Sequence, residues 1–153
     1  MDLILWRHAE ANDPDSGQDD IARALTSRGE KQAARMAKWL DRQLPEATRI
    51  LVSPAVRCEQ TALALARKYK IKPELGPGHS LQELLNAAQW PNAKSPVLVI
   101  GHQPVLGQAV AHLLGLPNSD ARVRRGAVWW LRGRERDGQG QTVVVAVQSP
   151  EVL

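Results

Sequence analysis

The strongest constraint on this chain is a rhythm that occurs three times. A short apolar run breaks at charged or small polar residues, and apolar residues at helical spacing follow. The runs are Leu3 to Trp6, Ile50 to Val52 (led in by Arg49) and Val97 to Ile100, each the length of one buried strand. Runs this apolar belong on strands covered on both faces, and the β-branched Val97 run is the natural centre. Strand, helix and strand in one sheet connect by right-handed crossovers, which set helices on both faces of a mostly parallel sheet. The expectation is a three-layer α/β/α fold, with residues 1–153 forming one domain without internal repeat or linker.

The helices have readable ends. Ser27 with Glu30 makes a capping box, with Thr26 as the alternative cap, and Ala33, Met36, Ala37, Leu40 and Leu44 follow until Pro45 stops the helix. Ser53 and Pro54 suit the cap and first position of a second helix, whose first turn carries Arg57 and whose buried face is Ala62, Leu65, Ala66 and Tyr69. An extended piece over Ile71 to Leu75 precedes a third, short helix, capped by Ser80 with Glu83 and running to about Gln89. Leu106, Ala109, Val110, Leu113 and Leu114 form a fourth helix closed by Gly115. The tail differs: strand-like runs at Ala127 to Arg132 and Thr142 to Val147 flank Asp137-Gly138-Gln139-Gly140, an antiparallel hairpin. Ala9 to Arg23, rich in turn formers and charges, reads as a loop over the end of the first strand.

Composition narrows the function classes. No apolar run approaches the ~20 residues of a membrane span. The amino terminus does not read as a signal peptide, because Asp2 precedes an apolar run too short for one. A single cysteine, Cys58, permits no intrachain disulfide, so a cytoplasmic protein is expected. Net charge is +4, with basic residues crowded between Arg122 and Arg136. That crowd reads first as a solvated, arginine-rich hairpin and second as a contact for an acidic protein, with nucleic acid disfavoured. His79 and His112 read as structural. The five tryptophans read as packing residues, with Trp6 and Trp90 as candidates for a pocket mouth.

Each strand hands over at a residue that carries chemistry. The first gives Arg7 and His8, the second gives Arg57 four residues past Ser53, and the third gives His102. In an open parallel sheet these lie along one edge, the carboxyl edge where ligands bind. Two guanidinium forks, two imidazoles and a helix amino terminus suit a phosphoryl group. Two histidines without convergent carboxylates make a poor metal site, and no Gly-x-Ser-x-Gly elbow or Gly-rich phosphate loop is present. What remains is phosphoryl transfer to an imidazole nucleophile.

These residues also carry a family resemblance. Arg7-His8-Ala9-Glu10 resembles the Arg-His-Gly signature of the histidine phosphatase superfamily, whose fold is phosphoglycerate-mutase-like. Arg23-Ala24-Leu25-Thr26 with Gly29, Ser53-Pro54 with Arg57 and Gln60-Thr61, and Gly101-His102-Gln103-Pro104 resemble its further motifs, over residues 1 to 115. The nearest group is the small phosphohistidine phosphatases of the SixA type. Ala9 departs from the usual glycine, which would set a Cβ close to the phosphate. The large acid-bearing lid of mutases and sugar phosphatases has no counterpart between Arg57 and the third strand.

The resemblance implies that His8 is the nucleophile and that Arg7, Arg57 and His102 form the phosphate pocket, with Arg23 as a further contact. It leaves the proton donor open between Glu10 and Glu83, and implies no metal and no cofactor. The implied activity is hydrolysis of phosphohistidine on a protein, such as a histidine phosphotransfer domain, through a covalent phosphohistidine intermediate. A phosphatase of sugar or nucleotide phosphates and a non-catalytic phosphate-binding module are the competing readings.

Overall fold

The computed structural model describes residues 1–15, 17–118 and 121–153. Among these, six strands form one sheet: β1 (Asp2–Arg7), β2 (Arg49–Val52), β3 (Lys70–Ile71), β4 (Val97–Gly101), β5 (Val128–Arg136) and β6 (Gln139–Gln148). Their order is β3-β2-β4-β1-β5-β6. The three apolar runs are therefore adjacent and parallel, with β4 between β2 and β1. β5 runs antiparallel to β1, and β6 antiparallel to β5. The expected three-layer architecture and the tail hairpin are both present.

Alternation along the strands builds two cores. Leu3, Leu5, Leu51, Val97 and Val99 face α3 (Leu81–Ala87) and α4 (Val105–Leu114). Ile4, Trp6, Ile50, Val52, Leu98 and Ile100 face α1 (Ser27–Gln43) and α2 (Val56–Leu63). Successive side chains of a strand point to opposite faces, so a fully apolar strand is what a sheet covered on both sides requires.

Several local readings differ. Thr26, not Ser27, caps α1, accepting the Gly29 amide at 2.9 Å. Ser53 does not cap α2, which starts at Val56 with Ala55 before it and no side-chain cap. Its hydroxyl turns instead toward the third strand's histidine. α2 ends at Leu63, and Ala66 is exposed at a positive φ of 55°, because the chain must turn there to lay down β3. The hairpin strands are longer than expected and leave a two-residue Asp137-Gly138 turn, both residues at positive φ. Trp6 is a core residue whose indole N–H donates to the Gly126 carbonyl at 3.0 Å, and Trp90 packs over Gly133 of the hairpin. Neither tryptophan reaches the pocket described next.

Candidate active site

The parallel register brings the ends of β1, β2 and β4 level: Arg7 is opposite Gly101, and Val52 opposite Ile100. Arg7, His8, Arg57 and His102 accordingly line one cleft of about 210 Å³ at the carboxyl edge of the sheet. Arg23 joins them from the loop after β1, and Pro77 and Gly78 supply rim from the segment between β3 and α3. A roomier concavity of about 560 Å³ around Asp41, Glu46 and Arg67 has no histidine in its lining.

His8 is buried at 8% exposure and held by its neighbours. Its amide donates to the Gly101 carbonyl at 3.1 Å, and the Gly126 amide donates to its carbonyl at 3.0 Å. Gly126 needs its positive φ of 74° to turn the chain back onto β1. The ring Nδ1 stands 2.8 Å from the Ala9 carbonyl, which can only accept. Nδ1 therefore carries the proton, and Nε2 keeps its lone pair. Burial, with the surrounding guanidinium groups, pushes the His8 pKa down to about 4, so the ring is neutral at neutral pH.

His102 lies beside it, ring centroids 5.3 Å apart. Its Nε2 is 2.7 Å from the Ser53 hydroxyl, which also accepts the Ala55 amide at 3.2 Å. Burial and the proximity of His8 and Arg57 lower its pKa to about 3. The Cys58 thiol stands 3.4 Å from His102, but burial raises its pKa to about 12, which keeps it a neutral, poorly nucleophilic thiol.

Arg57, only 4% exposed, directs both terminal nitrogens at Asp20: Nη1 donates to the backbone carbonyl at 2.8 Å and Nη2 to the carboxylate at 3.1 Å. Arg23 holds the other carboxylate oxygen of Asp20 through Nε at 2.9 Å and the Asn12 carbonyl through Nη1 at 2.8 Å. Arg7 Nη1 donates to the Val123 carbonyl at 2.9 Å. The Nε atoms of Arg7 and Arg57 are both buried without a partner.

The carboxylates read as possible acids lie elsewhere. Glu10 accepts the Thr26 hydroxyl at 3.0 Å and does not line the cleft. Glu83 completes the α3 capping box and pairs with His79 at 2.8 Å, also outside the cleft. Among the described residues, the one carboxylate in the lining is Asp13, an exposed residue of the loop after β1. Ala9 does not crowd the cleft either; its side chain is buried with Leu25 and Ala33.

Arg125 and Asp13 line the cleft outside every motif quoted above, and Gln103, which lines it, and Ser53 and Thr61, which support it, stand in those motifs without a site role read for them. Thr61 accepts the Ala9 amide at 3.1 Å and donates to the Arg57 carbonyl at 2.7 Å, joining the two halves of the site. Gln60 accepts the Leu25 amide at 2.7 Å. Arg125 had a signal in the basic crowd, but it precedes the hairpin rather than lying on it.

Comparison with known proteins agrees with this fold. Residues 3–84 match the family model of the histidine phosphatase superfamily, branch 1. A phosphohistidine phosphatase SixA homolog of Haemophilus influenzae is 34% identical over 134 residues, covering 77% of this chain and 80% of the relative. The phosphohistidine phosphatase SixA of Escherichia coli is 36% identical over 126 residues, 74% of each chain. The solved structure of a protein histidine phosphatase SixA complexed with tungstate superposes with a TM-score of 0.78 at 28% identity, covering 99% of both chains. By sequence match and by the edge-to-edge agreement of its fold, the chain belongs to branch 1 of the histidine phosphatase superfamily.

Proposed function

We propose that this protein removes the phosphoryl group from phosphohistidine on a protein substrate, such as a histidine phosphotransfer domain, by transferring it first to its own His8. The observation that carries this reading is the tautomer of His8. With its proton committed to the Ala9 carbonyl and its ring neutral, His8 offers Nε2 as an unprotonated nucleophile at neutral pH. Nε2 attacks phosphorus in line, the P–N bond to the substrate imidazole breaks, and the imidazole leaves with a proton. Water then cleaves the phosphohistidine on His8 and releases phosphate.

Arg7, Arg57 and His102 receive the phosphoryl oxygens, and Arg23 adds a contact from the side. The place of all three in the cleft lining supports this role, as does Arg57, whose terminal nitrogens already hold the Asp20 carbonyl and one of its carboxylate oxygens. Guanidinium charge does what a divalent cation does elsewhere, so the reaction needs no metal.

The leaving group decides between substrate classes. An alkoxide needs a well-placed acid, whereas a phosphoimidazole can carry a proton on its free ring nitrogen and depart as neutral imidazole. Glu10 and Glu83 are engaged outside the cleft, which favours P–N substrates. The names of the two curated relatives point the same way. Asp13 is the one observation that favours a small phosphate ester, since it could serve as an acid at the rim. The deciding experiment compares kcat/KM for a phosphohistidine protein and phosphoramidate with that for a sugar phosphate, in wild type and Asp13→Asn. A preference for P–N substrates that survives Asp13→Asn supports the proposal. Equally fast turnover of the sugar phosphate, lost selectively in Asp13→Asn, overturns it.

A further inference from the structure

The outward face of α1 carries five exposed cations: Arg28, Lys31, Arg35, Lys38 and Arg42. Spacings of three and four residues stack them in one stripe, which spans about 20 Å of helix. The core face of the helix, with Ala33, Met36 and Leu40, is on the opposite side. The two acids of α1, Glu30 and Asp41, fall outside the stripe, and Asp41 is occupied by Arg67 at 3.0 Å. Among the described residues only Arg28 of the five meets a carboxylate, that of Glu10, at a loose 3.9 Å. Like charges at these spacings work against a helix, and Arg28 sits in the first turn, at the positive end of the dipole. Among the described residues only Glu10 and Glu151 stand against this stripe, both toward its Arg28 end, so an external anionic surface is the counterpart the other side chains suit.

The stripe runs up to the active site. Gln32, between its members, accepts the Glu10 amide at 3.0 Å, two residues past His8. Arg28, Lys31 and Arg35 line a groove with Pro150 and Glu151, the one acid in its lining among the described residues. Gly126 closes the gap: a Cβ built on it would stand 3.2 Å from Pro150 and 3.8 Å from Gln32, and its neighbour Arg125 lines the phosphate cleft.

We infer that this stripe is the docking surface for an acidic face of the phosphorylated protein substrate, laid along α1 while its phosphohistidine enters the cleft. The inference rests on the proposed function. A protein is favoured over nucleic acid because the cleft at the stripe's end takes off a terminal phosphoryl group, which a phosphodiester backbone does not present. A complementary potential of this kind raises encounter rate and selectivity, and it weakens with salt.

The test is the triple variant Lys31→Gln, Arg35→Gln, Lys38→Gln, which leaves Arg28 and its Glu10 contact alone. Its thermal midpoint should be at or above that of wild type, because like-charge neighbours are removed. With a phosphohistidine protein of net negative charge, KM should rise about tenfold or more with kcat unchanged, and the fall of kcat/KM with salt should flatten. Turnover of phosphoramidate should stay within about twofold of wild type, since a substrate this small never reaches the stripe. An unchanged KM for the phosphoprotein overturns the inference, as does an equal loss on phosphoramidate. Loss of duplex DNA or anionic vesicle binding with normal phosphoprotein kinetics also overturns it. If wild type hydrolyses sugar phosphates but no phosphohistidine protein, the proposed function falls and this partner with it. A phosphoprotein that turns over with a KM indifferent to the variant removes the docking surface alone.

Discussion

Gly29→Ala would test how the first helix holds the nucleophile strand. Gly29 lies in the first turn of α1, and a Cβ placed on it would stand only 2.0 Å from the Glu10 carbonyl oxygen. Ordinary contact begins near 3.4 Å, so helix and loop must separate by about 1 Å or more. The Glu10 backbone cannot give way freely. Its carbonyl accepts the Thr26 amide at 3.0 Å, its amide donates to Gln32 at 3.0 Å, and the Ala9 amide before it is tied to Thr61 at 3.1 Å. Overpacking of this kind costs about 1–3 kcal/mol. A disturbed Thr26 cap adds about 1 kcal/mol, and better helix propensity returns a similar amount. The net loss of about 1–3 kcal/mol lowers Tm by roughly 3–10 °C in a chain this size. The displaced backbone also carries His8, and a 1 Å misplacement of a reacting group can cost about a hundredfold in rate. Calorimetry and phosphoramidate kinetics should therefore both register the change. Gly140→Ala is the control: nothing lies within 4 Å of its added Cβ, so stability and activity should stay at wild type. If Gly29→Ala behaves like Gly140→Ala, the α1 contact does not position the site.

Three further outcomes follow from the cleft. Arg57→Lys keeps a charge but loses the fork and should lower kcat/KM by about tenfold or more, roughly 1.4 kcal/mol per decade; near-normal kinetics would take Arg57 out of phosphate binding. His8 and His102 have folded pKa values near 4 and 3, below the ordinary 6.5, so the unfolded chain takes up protons first as pH falls. Their contribution to stability is complete above about pH 6.5 and shrinks below it, by up to about 2 kcal/mol per histidine by pH 5. Denaturant melts of wild type and His102→Gln should show a smaller pH dependence in the variant, and identical slopes would contradict the buried neutral pair. EDTA should leave phosphoramidate turnover unchanged; loss restored by one added divalent metal would show that the guanidinium groups do not suffice.

The sheet was legible because its evidence is local and repeated. Three apolar runs bounded by breaks admit little except buried parallel strands, and their carboxyl ends necessarily gather Arg7, His8, Arg57 and His102. Ser53 shows where local reading fails. Ser-Pro before an apolar helix is a good cap signal, yet the hydroxyl is taken by His102, forty-nine residues away, and the helix starts later without a cap. Ala9 fails for a related reason: its replacement of the family's usual glycine suggested crowding of the phosphate, but beyond the end of β1 its methyl is buried against Leu25 and Ala33. Arg125 and Asp13 could not be found by motif spacing, since they reach the cleft from loops whose paths depend on packing against β1 and α1. The capping role of Glu83, in contrast, is written in four residues and is present as read.

The proposed reaction turns on one atom, His8 Nε2, which passes the phosphoryl group from substrate to water. The most direct measurement is rapid quench of a reaction with labelled phosphoramidate, followed by mapping of the label on the denatured chain. An acid-labile phosphoryl group should be found on His8, forming and decaying fast enough to carry turnover, and should be absent from His8→Ala although the variant still binds tungstate or phosphate. No label during steady-state turnover, label on a residue other than His8, or full activity of His8→Ala would contradict it.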